Sequence, residues 1–166
     1  MIYNCHIQVL VPQTVIDIKG EPGDVLPRLL RLGLTDPPAL RAAVAGDLRV
    51  LRPSPHHWLL LAPLALEDPL LGQLNTPDPA ADTLILSVSD AYQWFAISGP
   101  EAREVLAIGC PLDLDPGVFA YDSATFTEMF ALKALLLADA DGFVVAVDRS
   151  HAPLVVDWFA RIQGEA

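Results

Sequence analysis

Positive charge is scarce in this sequence: Lys and Arg number 10 against 21 Asp and Glu, a formal net charge of −11. Such an average field repels phosphate backbones and anionic lipid, so neither nucleic acid nor a membrane is an expected partner. Long apolar runs are missing as well. The longest, Trp58 to Leu66, is broken by Pro63 and falls far short of the ~20 residues that a membrane-spanning helix needs. The opening stretch Met1-Ile2-Tyr3-Asn4-Cys5-His6 lacks a basic patch leading into an apolar segment, so no export signal is read and the expected location is cytoplasmic. With only two cysteines, Cys5 and Cys110, far apart in a reducing compartment, free thiols are expected rather than a disulfide. Neither Gly-x-Gly-x-x-Gly nor a phosphate-loop motif occurs, so no flavin or nucleotide is expected on this chain.

What is abundant is apolar material. Hydrophobic residues make up 52% of the 166, which excludes disorder and predicts one domain, residues 1–166, with a single core of at least two layers. A chain this apolar and this short has greasy surface to spare for a partner. Fifteen prolines supply the punctuation, clustering at Pro37-Pro38 and at Pro77 and Pro79, where turns or surface loops are expected.

Alternating patterns predict strands over His6 to Val11, Thr14 to Lys19, Leu48 to Leu51 and Trp58 to Leu61. A helix is predicted over Asp24 to Leu32, with Val25, Leu26, Leu29, Leu30 and Leu32 on its apolar face and Arg28 and Arg31 off it, ended by Gly33. Leu66 to Leu74 reads as a second helix. Leu84 to Val88 and Gln93 to Ile97 read as a hairpin joined by Ser89-Asp90-Ala91-Tyr92. Ser98-Gly99-Pro100-Glu101 then has the hydroxyl, proline and carboxylate of a helix start, with Ala102, Val105, Leu106 and Ile108 facing the core and Gly109 as a left-handed stop. Strands follow at Ala124 to Met129, Lys133 to Ala138 and Phe143 to Val147, the last two joined at Asp141-Gly142. Ser150 is expected to cap a final helix, His151 to Gln163, whose buried face is Leu154, Val155, Trp158, Phe159 and Ile162. This order predicts an α+β fold of antiparallel hairpins with packed helices, rather than a doubly wound parallel sheet.

The search for reactive groups yields no catalytic or metal residue. His56 and His57 are adjacent and would point to opposite faces of a strand, while His6 and His151 have no ligand-spaced partner. Asp139-Ala140-Asp141-Gly142 echoes a calcium loop, but its flanks read as strands, so a hairpin turn is expected. Ser98 is read as a cap, and Asp113 and Asp115, in a leucine-alternating loop, as capping or solvated carboxylates. Cys110 follows a helix C-terminus, where the dipole disfavours a thiolate. Tyr92, Trp94 and Phe95 are read as core, with interface anchors as the alternative.

One long run is specific. Ile97-Ser98-Gly99-Pro100-Glu101-Ala102-Arg103-Glu104-Val105-Leu106-Ala107-Ile108-Gly109-Cys110-Pro111-Leu112-Asp113-Leu114-Asp115-Pro116 resembles the gamma subunit of heterotetrameric sarcosine oxidase. Asp148-Arg149-Ser150 leading to a helix with Trp158, and Leu51-Arg52-Pro53 followed by Trp58-Leu59-Leu60-Leu61, add to the likeness. The resemblance implies the α+β fold of the folate-binding domain of the glycine-cleavage aminomethyltransferase. It also implies a non-catalytic assembly role beside a large flavoprotein subunit that demethylates sarcosine to glycine and passes the one-carbon unit to tetrahydrofolate. Flavins, NAD and tetrahydrofolate are then expected on partner subunits, with no cofactor in this chain. The alternative is a stand-alone folate-binding or one-carbon-transfer protein. Its anionic ligand tail would need a basic group, for which Arg103, Lys133 and Arg149 are the candidates in the second half. A homo-oligomer is the alternative state of the isolated chain.

Overall fold

Among the described residues, ten strands pair antiparallel throughout into two five-stranded sheets, accompanied by four α-helices. The structure, a computed structural model, describes residues 3–76 and 82–164; the cluster at Pro77 and Pro79 lies outside the described residues. The α+β expectation holds. In place of one core, the described residues form two compact units, one from Met1–Val11 with Asp90–Ala166, the other from Pro12–Ser89, each with its own hydrophobic cluster.

The smaller unit holds β2 (Gln13–Lys19), α1 (Pro22–Arg31), β3 (Ala42–Ala45), β4 (Leu48–Ser54), β5 (His57–Pro63), α2 (Glu67–Leu74) and β6 (Leu84–Ser87), in sheet order β3-β4-β5-β2-β6. Ile16 and Ile18, two apart on β2, share a face with Trp58, Leu60 and Ala62 of β5, and this face receives Val25 and Leu29 of α1 and Leu70 and Leu74 of α2. Arg28, placed off the apolar face by its spacing, is in fact buried at 7% exposure. Its Nη1 donates to the Leu74 carbonyl and to Thr76, so the cation ties α1 to the negative end of α2. Leu30, assigned to the apolar face, is exposed.

The larger unit holds β1 (His6–Val9), β7 (Tyr92–Ser98), α3 (Ala102–Ala107), β8 (Ala124–Met129), β9 (Leu132–Asp139), β10 (Gly142–Asp148) and α4 (Ala152–Gln163), in sheet order β1-β7-β10-β9-β8. Alternate residues Phe95 and Ile97, Leu136 and Ala138, and Phe143, Val145 and Val147 cluster on one face with Ala102 and Leu106 of α3 and Val155 and Phe159 of α4. Trp94 and Phe95 are both buried. Leu154, assigned to the buried face of α4, is 44% exposed.

Three local expectations are overturned. Leu84–Ser87 and Tyr92–Ser98 do not pair: β6 pairs with β2 and β7 with β1 and β10, and the 3-10 turn Ser89–Ala91 carries the chain between sheets. Ser89 is buried; its Oγ accepts from the Val15 amide at 2.9 Å and donates to the Glu67 carboxylate, which fixes the turn against β2. Ser98 does not cap α3. Glu101 is the N-cap without a side-chain hydrogen bond to the helix, and its carboxylate accepts from the Asn4 amide instead. Gly109 is not left-handed; a Cβ there would stand 2.6 Å from the Phe130 ring.

Phe130 is held in place from several sides. With Ala131 it forms the two-residue β8–β9 turn, both at positive φ (51° and 62°), as a mirror-image hairpin turn requires. Its amide donates to the Gly109 carbonyl at 2.8 Å and its ring centroid lies 4.4 Å from that of Trp158. Gly142 begins β10 at φ 149°, and a Cβ would lie 2.2 Å from the Ile97 carbonyl oxygen.

Gly109→Ala is expected to cost about 1–3 kcal/mol in urea unfolding, by overpacking the Phe130 ring. Gly142→Ala should cost more, since backbone cannot step aside. Leu106→Ala should cost about 2–5 kcal/mol as a core cavity.

Candidate functional site

At one end of the larger sheet, the end of β7, the start of α3 and the β9–β10 turn enclose a cleft of about 230 Å³. Arg103 projects from α3 because its neighbours Ala102 and Leu106 are spent on the core. Its Nε donates to the Leu114 carbonyl at 2.8 Å, and the guanidinium stands 5.5 Å from the Phe143 ring centroid. Phe143 is in turn stacked on Phe119, with centroids 6.5 Å apart and planes at 19°. Asp139 and Asp141 of the turn, and Tyr121, also line the cleft. Asp139 Oδ1 accepts from the Ala140 amide at 2.9 Å, which shapes the turn. As hairpin-turn residues these two carboxylates carry no local sign of Arg103; the link is the antiparallel register of Gly142 with Ser98, which no local pattern announces.

The three basic residues offered to a folate tail are not brought together. Arg103 sits beside Phe143 near the start of β10, whereas Arg149 follows the end of that strand and donates to the Tyr92 carbonyl at 3.3 Å. Lys133 is the second residue of β9, beside Ala134, the partner of Val147, and its Nζ stands 4.3 Å over the Phe126 ring. Phe143 and Val147 are four residues apart, a span of about 13 Å at strand rise. Asp139 and Asp141 line the same cleft as Arg103, which weakens the field an anionic tail would need.

The remaining candidates have structural partners. Asp113 Oδ1 accepts from the Asp115 amide at 3.0 Å and Asp115 Oδ1 from the Gly117 amide at 2.8 Å, consecutive side-chain-closed turns. His57 Nε2 lies 2.7 Å from Asp17 Oδ1, and His56 Nδ1 lies 3.5 Å from Glu21 Oε1. Among the described residues, no three His, Cys, Asp or Glu side chains stand together as a metal-binding group. Both cysteines are free thiols; Cys110 is buried, and burial together with the Glu101 charge holds the Cys5 pKa above its ordinary value. No helix among the described residues is long and apolar enough to cross a membrane.

The Asp148-Arg149-Ser150 step is a strand-to-helix junction. Asp148 Oδ1 accepts from the Ser150 hydroxyl at 2.6 Å and from its amide at 2.9 Å, so Ser150 donates to the cap rather than providing it. These bonds favour the ionised carboxylate and hold the Asp148 pKa below its usual value.

Two antiparallel sheets with helices packed on them make an α+β fold. The chain matches heterotetrameric sarcosine oxidase from Corynebacterium sp. U-96, solved in complex with pyrrole 2-carboxylate, at a TM-score of 0.83 and 24% identity, over 97% of this chain and 84% of that one. It matches the glycine cleavage system aminomethyltransferase T from Bartonella henselae at a TM-score of 0.66 and 13% identity, over 96% of this chain and 46% of that one. The chain thus spans less than half of the aminomethyltransferase. No family model matches the sequence, and no curated protein matches it. The fold that the resemblance implied is the fold observed.

Asp148→Ala should lower the melting temperature at neutral pH. A depressed carboxylate pKa stabilises the fold above the unfolded value of about 3.9, and that contribution is lost as pH falls through the lower folded value. The difference between Asp148→Ala and the parent should therefore close in acid, and a gap independent of pH would contradict the assignment.

Proposed function

We propose that this chain is a non-catalytic assembly subunit, gamma-like, of a complex of the heterotetrameric sarcosine oxidase type. The observation that supports the reading is closeness of fold: the TM-score is 0.83 against the sarcosine oxidase chain, over 97% of this chain, and 0.66 against the aminomethyltransferase, over 96%. On this reading the large flavoprotein subunit is the partner, the complex demethylates sarcosine oxidatively to glycine, and the one-carbon unit passes to tetrahydrofolate. Flavins, NAD and tetrahydrofolate reside on partner subunits, and the complex works in the cytoplasm.

Surface chemistry supports the reading. Val9, Val11, Leu40 and Val118 are each more than half exposed, apolar area whose removal from water on association is favourable. A chain of net charge −11 also complements a partner face rich in Lys and Arg.

Co-expression with the large flavoprotein of a sarcosine oxidase-type complex from the same organism tests the proposal. The two chains should co-purify, and omission of this one should lower the thermal stability of the other. The isolated chain should neither turn over sarcosine nor give heat with tetrahydrofolate in calorimetry. Turnover by the chain alone would overturn the proposal, as would a monodisperse chain indifferent to the flavoprotein; a heat signal with tetrahydrofolate would favour the stand-alone folate-binding alternative.

A further inference from the structure

The cleft beside α3 has a charge pattern that selects a narrow class of ligand, independently of the assembly role. The lining of this cleft of about 230 Å³ includes one cation, Arg103, and two acidic residues, Asp139 and Asp141. The Arg103 cation is pre-positioned: Leu114 takes its Nε–H, and its guanidinium carbon stands 5.5 Å from the Phe143 ring centroid. No protein acceptor among the described residues takes its terminal N–H groups, which leaves the forked end for an incoming oxygen pair.

A simple anion entering the cleft gains Arg103 but meets Asp139 and Asp141, and a simple cation gains the carboxylates but meets Arg103. Only a molecule with both charges a short distance apart satisfies both the cation and the carboxylates. The volume lies below the ~300 Å³ at which pockets for drug-sized ligands begin, so the occupant is small. We propose that this cleft binds a small α-amino acid-like zwitterion, its carboxylate on the terminal N–H groups of Arg103 and its ammonium facing Asp139 and Asp141. Phe119 and Phe143 supply the apolar flank, and Gly99 and Gly142 contribute no side chain that would narrow the entrance. Binding in so open a site, with charges that water also solvates, is expected in the millimolar range.

Titration of isotope-labelled protein with glycine and with alanine, followed by amide NMR shifts, tests the proposal, with acetate and methylammonium as single-charge probes. Saturable shifts at Gly99, Arg103, Asp141 and Gly142 are expected with the two amino acids, and affinities at least about tenfold weaker with either single-charge probe. Arg103→Met should weaken glycine about tenfold, Arg103→Lys should restore part of that loss, and Asp141→Asn, at an exposed turn, should weaken glycine while improving acetate. Should Arg103→Met fail to fold, the Arg103→Lys and Asp141→Asn arms still decide. No shifts with either amino acid would overturn the proposal. So would acetate or methylammonium binding as well as glycine, which would make the cleft a plain ion site, or glycine affinity unchanged by the Asp141→Asn and Arg103→Lys substitutions.

Discussion

The larger unit depends on how closely β10 runs against β7. At Gly142 the approach leaves no room for a Cβ, which would stand 2.2 Å from the Ile97 carbonyl oxygen. That pairing sets Ser98 opposite Gly142 and keeps seven residue pairs in register through Asp148 opposite Tyr92. Because β7 also pairs with β1, one central strand gathers segments from the beginning, middle and end of the chain. The same register places the α3 start beside the β9–β10 turn and so creates the cleft lined by Arg103 and the two aspartates. Fold and site share one backbone constraint.

The smaller unit relies on buried polar ties in addition to its apolar cluster. Arg28 closes the C-terminal end of α2, and Ser89 joins the Val15 amide to the Glu67 carboxylate. Both side chains are buried, and each contact satisfies a group that would otherwise be costly to withdraw from water. Trp58, fully buried, adds an Nε1–H donated to Asp36 at 3.2 Å, with the Arg52 guanidinium 4.8 Å from its ring. These contacts join residues distant in sequence, which is why no local motif revealed them.

Local patterns with a clear period were legible. Alternation in Ala124 to Met129, Lys133 to Ala138 and Phe143 to Val147 yields strands within a residue or so of those observed, and the helical spacing before Gly33 locates α1. Pairing partners were much less so. Leu84 to Val88 and Gln93 to Ile97 are adjacent strands with turn chemistry between them, but Ser89 is bonded into β2 and α2 and sends the chain to the other sheet. β3 went unread because Ala42-Ala43-Val44-Ala45 has little β propensity and gains its place by pairing with β4. Gly109 was read for its torsional freedom when its missing side chain was what mattered. Arg103 was identified as a candidate, yet its carboxylate companions were hidden in a turn brought near by sheet register.

The Ser-Gly-Pro-Glu-Ala-Arg run therefore does two things in the structure: it carries β7 into α3, and it puts a pre-positioned cation at the mouth of a cleft. Neither requires a reactive group, and the role proposed for the chain is association with a larger one. The most direct test of that account is native mass spectrometry of the protein drawn gently from its own cells. The account predicts a single copy held in an assembly with a much larger flavin-containing chain. Recovery solely as the free chain, or solely as copies of itself, would contradict it.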